Sequence, residues 1–287
     1  MITYRRLTDK DFPRLYHATL AAFSDYTVPY QPTQESLQRM FLINGVSFGL
    51  SVGAFDGDEM IGFAVNAVGV WRGRRTVYNS GTGIVPSCRR RGISRKMFDF
   101  ILPILREDNI EQYLLEVISE NEPAVRLYQS LSFETSRRLL IYKRQDTVFI
   151  GKNENENFTI KEIEMPDWKL FESFWTYRPS WQNSTDSIKR SLADETIIKT
   201  FLGLYLSGEP VGYAVVFHTS GNIPQIAVAE KHRRKGFGRA LLNALQKQTE
   251  KPLMVSNVDA QATGVSAFLQ ANGFSLLTTQ YEMLLKL

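Results

Sequence analysis

Apolar positions along this chain follow two periods, two and about 3.6, and the order in which they alternate occurs twice. In the first half, residues 2–7 read as a strand. Thr8, Asp9 and Asp11 then open a helix, acids at its positive end, with Leu15, Leu20, Ala22 and Phe23 as the apolar stripe. A loop holding Tyr26, Pro29, Tyr30 and Pro32 leads to a second helix over 33–44. Residues 48–55 and 60–70 form a hairpin about Asp56-Gly57-Asp58, and 76–85 is the next strand. Ile93, Met97, Ile101 and Leu105 share one helical face, and Pro103 is expected to bend the last turn. Residues 113–118 are apolar except for Glu116, as suits a parallel strand covered on both faces. Asn121 is placed to cap the following helix, with Pro123 in its first turn and Ala124, Leu127, Tyr128 and Leu131 facing inward. Residues 137–144 read as the last strand of this half.

The composition then turns polar through Gly151-Lys152-Asn153-Glu154-Asn155-Glu156-Asn157, and the pattern restarts. Residues 158–163 are a strand, 166–175 and 185–192 helices. Val211-Gly212-Tyr213-Ala214 echoes Ile61-Gly62-Phe63-Ala64. Residues 226–228 lead into a basic turn, 253–258 are a strand, 262–271 a helix, and Gly273-Phe274 opens the last strand. The reading is two domains, 1–148 and 158–287, joined by a linker over 149–157.

Composition narrows the function classes. The chain has 287 residues, 43% hydrophobic and 22% charged, with one cysteine, Cys88. No intramolecular disulfide is possible, no apolar run has membrane-spanning length, and the first residues lack the apolar core of a signal peptide. A cytoplasmic setting is expected, with no membrane partner. The net charge of +4 is mild, and arginines cluster at one turn, so an anionic ligand accounts for them better than nucleic acid. His17, His218 and His232 are scattered without metal-ligand spacing, and no metal is expected.

The chemistry concentrates between Thr82 and Phe133. A strand ending at Gly83-Ile84-Val85 runs into Arg89-Arg90-Arg91-Gly92-Ile93-Ser94-Arg95, and a helix follows. Free N–H groups and the positive helix end beside arginines make a site for a pyrophosphate. The second half repeats the device: Val228, then Arg233-Arg234-Lys235-Gly236-Phe237-Gly238. The alternative is a basic helix start on a solvated face. His232 either touches phosphate there or is a solvated turn residue.

The turn resembles the Arg/Gln-x-x-Gly-x-Gly/Ala element of the GNAT acyltransferase superfamily, matched by Arg89, Gly92 and Ser94 and, more closely, by Arg233, Gly236 and Gly238. Ser94 departs from the usual residue but is small. The Asn-x-x-Ala-x-x-Leu-Tyr helix from Asn121 to Tyr128 stands at the family's usual distance. The implied fold class is α/β (α+β): two tandem GNAT domains, each a mixed, mostly antiparallel sheet with a central parallel strand pair and about four helices. The layout is similar to that of mycothiol synthases, and Leu115-Glu116-Val117 with Asn121 and Tyr128 is similar to ribosomal-protein N-terminal acetyltransferases.

The resemblance implies acetyl-CoA as cosubstrate and acetyl transfer to the primary amine of a small molecule or peptide. The alternative is a non-catalytic module that binds CoA or a protein and keeps only the fold. Gly83 to Val85, Arg89 to Arg95 and Asn121, with Val228, Arg233, Arg234, Gly236 and Gly238, would contact CoA. Tyr128 is expected to protonate the leaving thiolate; otherwise it is a core tyrosine. Burial would raise the pKa of Glu116 towards that of a general base, unless it is a bonded structural carboxylate. Tyr26 and Tyr30 line the acceptor side or pin their loop. Trp175, Tyr177, Arg178 and Trp181 hold the similar place in the second half. Counting back from the last strand, Leu269 and Asn257 stand where Tyr128 and Glu116 stand, so the second domain is expected to lack both proton-transfer groups.

Overall fold

The computed structural model describes residues 1–25, 30–145 and 158–287. Tyr26 and the expected linker lie outside them. The chain forms two units, Met1–Ser136 with Tyr281–Leu287, and Arg137–Gln280.

In the first unit, strands β1 (Ile2–Arg6), β2 (Val52–Asp56), β3 (Glu59–Trp71) and β4 (Arg74–Ile84) are antiparallel neighbours, and β5 (Gln112–Ile118) runs parallel to β4. Side chains of β3 divide between two cores, and a bulge at Ile61 resets their alternation. Phe63 and Val65 pack with helices α1 (Phe12–Ala22) and α2 (Gln34–Asn44); Ile61 and Ala64 pack with α3 (Ile93–Glu107). The helix α4 (Glu122–Ser130) closes the α3 side, capped by Asn121, whose Oδ1 accepts from the N–H of Ala124 at 3.3 Å. Helix α3 continues through Pro103 to Glu107. The expected strand over 48–55 begins only at Val52. Before it, Phe48–Leu50 is a 3-10 turn, because Ser51 Oγ bonds the carbonyl of Ser47 at 2.8 Å and bends the chain.

In the second unit, the strands run in the order β6 (Glu134–Arg144), β11 (Met254–Asp259), β10 (Asn222–Val228), β9 (Glu209–Phe217), β8 (Lys199–Leu206), β7 (Phe158–Glu162), with β10 and β11 parallel. Helices α5 (Trp168–Glu172) and α6 (Thr185–Leu192) accompany one core; α7 (Phe237–Gln246) and α8 (Thr263–Ala271) accompany the other.

The units are not contiguous in sequence. Residues 137–144, read from sequence as the first half's last strand, pair with β11 in the second unit: Lys143 opposite Met254 and Leu139 opposite Asp259. In exchange, the end of the last strand, β12 (Phe274–Lys286), belongs to the first unit, where Met283 and Leu285 enter the α3 core. Each unit thus has the mixed, mostly antiparallel sheet with one parallel pair and four helices that the sequence led us to expect.

Candidate active site

The site of the first unit begins where β4 and β5 part. They pair in parallel from Thr76–Gln112 to Asn79–Leu115; β4 then runs on to Ile84 and β5 to Ile118 without further pairing. The cause is a bulge. Asn79 stands opposite Asn66 on β3 and Gly81 opposite Val65, which leaves Ser80 as an extra residue that turns β4 away. A buried polar network fixes this bend. Tyr113 Oη donates to Asn66 Oδ1 at 2.5 Å, and Asn79 Nδ2 donates to Asn66 Oδ1 and Tyr113 Oη at 3.3 and 3.2 Å. Thr82 Oγ1 donates to Asn79 Oδ1 at 3.0 Å, and Asn66 Nδ2 to the Leu50 carbonyl at 2.7 Å. Burial pushes the Tyr113 phenol above its ordinary pKa.

Beyond the bend, the N–H of Val85 is taken by the carbonyl of Ile61 at 3.0 Å. Strand alternation sends the N–H of Gly83 to the same side, and those of Thr82 and Ile84 to the edge that β5 has left. Of the N–H groups expected around Gly83 to Val85, Ile84 is therefore the one on the open edge. Gly83 answers to packing instead: a Cβ there would stand 2.6 Å from the Phe63 ring and 2.8 Å from Ala22 Cβ.

The turn that follows is a concave run of backbone. Arg90 and Gly92 both have left-handed φ, 61° and 72°, and the first intrahelical bond of α3 comes from the N–H of Lys96 to the carbonyl of Gly92. The N–H groups of Ile93, Ser94 and Arg95 are left to point out of the positive helix end. Alternating backbone of this kind forms an anion-binding nest. Arg90 and Arg91 are exposed beside it, Ser94 is half-buried, and the Ile93 side chain is in the core.

Two arginines of the turn have other work. Arg89 donates from Nε to the carbonyl of Ile84 at 3.2 Å and from Nη2 to that of Ala22 at 2.8 Å, and it grips the Asp25 carboxylate at 2.6 and 2.8 Å. It ties the turn to the end of α1. Hydrogen bonding from Arg89 holds the Asp25 carboxyl below its ordinary pKa. Arg95 Nη1 reaches the carbonyl and hydroxyl of Ser130 at 3.1 and 3.2 Å, joining α3 to the end of α4.

Glu116 is the first residue of β5 past its last pairing with β4, and it is half-buried. Tyr128 is the buried residue of α4, its ring edge-on to Phe98 at 5.9 Å and to Phe133 at 5.7 Å. Consecutive elements of one unit thus carry the carboxylate and the phenol. On the α1–α2 side, Tyr30 donates to Met40 Sδ at 3.6 Å, and its ring lies edge-on to Phe23 at 5.3 Å. Burial raises its pKa.

The second unit repeats the turn. Arg233 donates from Nε to Val228 at 3.0 Å and from Nη2 to Phe174 at 3.0 Å, and Arg234 and Gly236 have φ of 59° and 85°. Gly238 is crowded, since a Cβ there would meet the Phe268 ring at 2.9 Å. Burial, then Lys235 and Lys231, lowers the pKa of His232.

The strand ends differ. Residues 178–183 are bonded to β10, β11 and Arg137. Asn257 Nδ2 donates to Ser180 Oγ and Asn183 Nδ2 to the Ser256 carbonyl, both at 2.8 Å. Gln225 Nε2 donates to the Asn183 carbonyl at 2.7 Å, and Arg137 Nη1 to that of Arg178 at 2.6 Å. Trp175 Nε1 donates to Tyr213 Oη at 2.6 Å, and Trp181 is buried. Asn257 and Leu269 are both buried.

Among the described residues, no three His, Cys, Asp or Glu side chains gather as a metal site, and no helix is long and apolar enough to cross a membrane.

Comparison with known proteins identifies the fold. The acetyltransferase (GNAT) family matches residues 12–133, and an acetyltransferase (GNAT) domain matches residues 198–276. The chain has the tandem two-domain fold of the GNAT acetyltransferase superfamily. Similar solved structures include a GCN5-related N-acetyltransferase from Sphaerobacter thermophilus, with a TM-score of 0.74 at 16% identity over 99% of this chain and 95% of that one. A tandem GNAT protein from the clavulanic acid biosynthesis pathway gives 0.74 at 13% identity over 100% and 98%. A glucosamine N-acetyltransferase region of a fungal multi-domain β-N-acetylglucosaminidase gives 0.74 at 14% identity over 99% and 38%. No curated protein matches the sequence significantly.

Proposed function

We propose that the chain is an acetyl-CoA-dependent N-acetyltransferase, and that its first unit transfers the acetyl group to a primary amine of a small molecule or peptide. One observation carries this reading: β4 and β5 part just before Glu116, and β4 then leads into a left-handed nest at the start of α3. The nest fits a pyrophosphate, with Arg90 and Arg91 beside it. Acetyl-CoA would supply the acetyl group as a thioester.

The residues then have distinct work. Glu116, directly or through a water, takes the proton from the ammonium or from the attacking amine. The N–H of Ile84, at the open edge, donates to the thioester oxygen as it gains charge. The amine nitrogen bonds the carbonyl carbon as the C–S bond breaks, and Tyr128 gives its phenolic proton to the sulfur. Holding both reactants in one cleft supplies much of the rate.

In the second unit, a leucine and an amide hold the positions counted as those of the acid and base, and residues 178–183 are bonded across the ends of the parallel strands. We assign that unit an auxiliary role, holding CoA without turnover or supporting the first. Release of thiol from acetyl-CoA in the presence of an amine panel tests the activity; no release with any amine in a folded, CoA-binding protein favours the non-catalytic module.

A further inference from the structure

Helix α4, which carries Tyr128, has nine residues. A helix this short does not hold its own place, so its contacts set it. At its start Asn121 caps it. At its end the contact comes from the start of α3. Arg95 Nη1 donates to the Ser130 carbonyl at 3.1 Å and to the Ser130 hydroxyl at 3.2 Å, and that hydroxyl donates to the Leu127 carbonyl at 2.7 Å. A cation here also meets the negative end of the helix dipole. Arg95 thus serves two elements. Its backbone N–H is one of the three left free at the start of α3, and its side chain holds the helix that carries the phenol.

The second unit lacks this tie. Arg239 follows Gly236 at the spacing by which Arg95 follows Gly92, and Ala271 follows Leu269 as Ser130 follows Tyr128. Among the described residues, the Arg239 side chain has no hydrogen-bond or ion-pair partner, although Ala271 offers a backbone carbonyl as Ser130 does. A tie needed only to hold the fold would serve both units; it is present in the one whose helix carries a phenol.

We propose that Arg95 is a positioning residue for acetyl transfer: by holding the end of α4, it sets the Tyr128 hydroxyl against the leaving sulfur. This inference rests on the reading of Tyr128 as the acid that protonates the thiolate. A displaced acid costs rate rather than cosubstrate affinity.

The test is a double-mutant cycle in the full-length protein, read as kcat for acetyl transfer to the best amine of a panel and as the calorimetric Kd for acetyl-CoA. Arg95→Ala should lower kcat about three- to tenfold, the worth of one hydrogen bond, and leave the Kd within about twofold. Arg95→Lys keeps the charge and a donor and should recover part of the rate. In the Tyr128→Phe background, Arg95→Ala should cost almost nothing further, because the group it positions is gone. Losses that multiply in the double variant would overturn the proposal, since Arg95 would then act independently of Tyr128. So would a Kd raised about tenfold or more at unchanged kcat, which would make the guanidinium a phosphate ligand. Wild-type kcat in R95A beside a slow Y128F sinks this inference alone. Wild-type kcat in Y128F sinks the acid reading, and this inference with it.

Discussion

Arg89 holds the carboxylate of Asp25 through both terminal nitrogens, at 2.6 and 2.8 Å, and gives two further donors to the carbonyls of Ile84 and Ala22. Arg233 makes the same two carbonyl contacts in the second unit, with Val228 and Phe174. The first arginine of each turn is therefore a clamp. Arg89→Ala should lower stability by about 1 kcal/mol, the worth of one or two exposed-side hydrogen bonds, in a urea titration. Its Kd for acetyl-CoA should change by less than about tenfold. A loss of affinity larger than that of Gly92→Asp would make Arg89 a direct phosphate ligand instead.

Gly92→Asp puts a negative charge and a side chain at a residue with φ of 72°, at the start of α3. Affinity for acetyl-CoA should fall at least about tenfold, from charge repulsion in the nest and strain in the turn. Calorimetry on the folded variant checks this. Unchanged affinity would remove the nest from the binding site.

Tyr128→Phe removes one hydroxyl and keeps the ring against Phe98 and Phe133. If the phenol gives its proton to the sulfur, kcat should fall about 10²-fold or more while CoA affinity holds. Wild-type kcat would make Tyr128 a core residue only.

How much of this is readable from the sequence depends on the distance between partners. The strand, turn and helix around Gly92, and the Asn121 cap, are local patterns, and the structure has them where the residues point. The Arg89 clamp joins residues far apart in the chain, and an arginine in a phosphate turn gives no sign that most of its donors are already taken. The same holds for Ser180 and Asn257, which meet from opposite ends of the second half. The exchange of 137–144 and 281–287 between units is hidden for another reason. Both segments carry an apolar run, Leu139 to Tyr142 and Met283 to Leu285, and such a run does not say which parallel pair each will flank.

Asp11 offers a pH test of the scaffold. It is buried and accepts two bonds from Arg5, at 2.6 and 2.8 Å, and two from Thr8, both at 2.9 Å. Hydrogen bonding from Arg5 leads in holding its carboxyl well below the ordinary range. A depressed folded pKa gives stability that is present above the unfolded value, about 4, and is lost as pH falls through the folded one. Asp11→Asn should therefore be less stable at neutral pH and should lose less stability than wild type between about pH 4 and pH 2. Parallel acid curves for the two proteins would contradict this.

Tyr113→Phe leaves Asn66 Oδ1 and Asn79 Nδ2 short of a partner in the core. It should cost about 1–3 kcal/mol in urea unfolding. It should also lower kcat/KM, because the network fixes the bend that opens β4 from β5. Full activity with reduced stability would mean that the bend holds without it.

The division of labour between the units is tested most directly by acetyl transfer from acetyl-CoA to the best amine of a panel, measured for two variants side by side. Glu116→Gln/Tyr128→Phe should abolish transfer in a folded protein that still binds acetyl-CoA, while Gly236→Asp should keep at least part of the wild-type kcat. The opposite pattern, with transfer surviving the double substitution and lost in the folded G236D protein, would place the chemistry in the second unit.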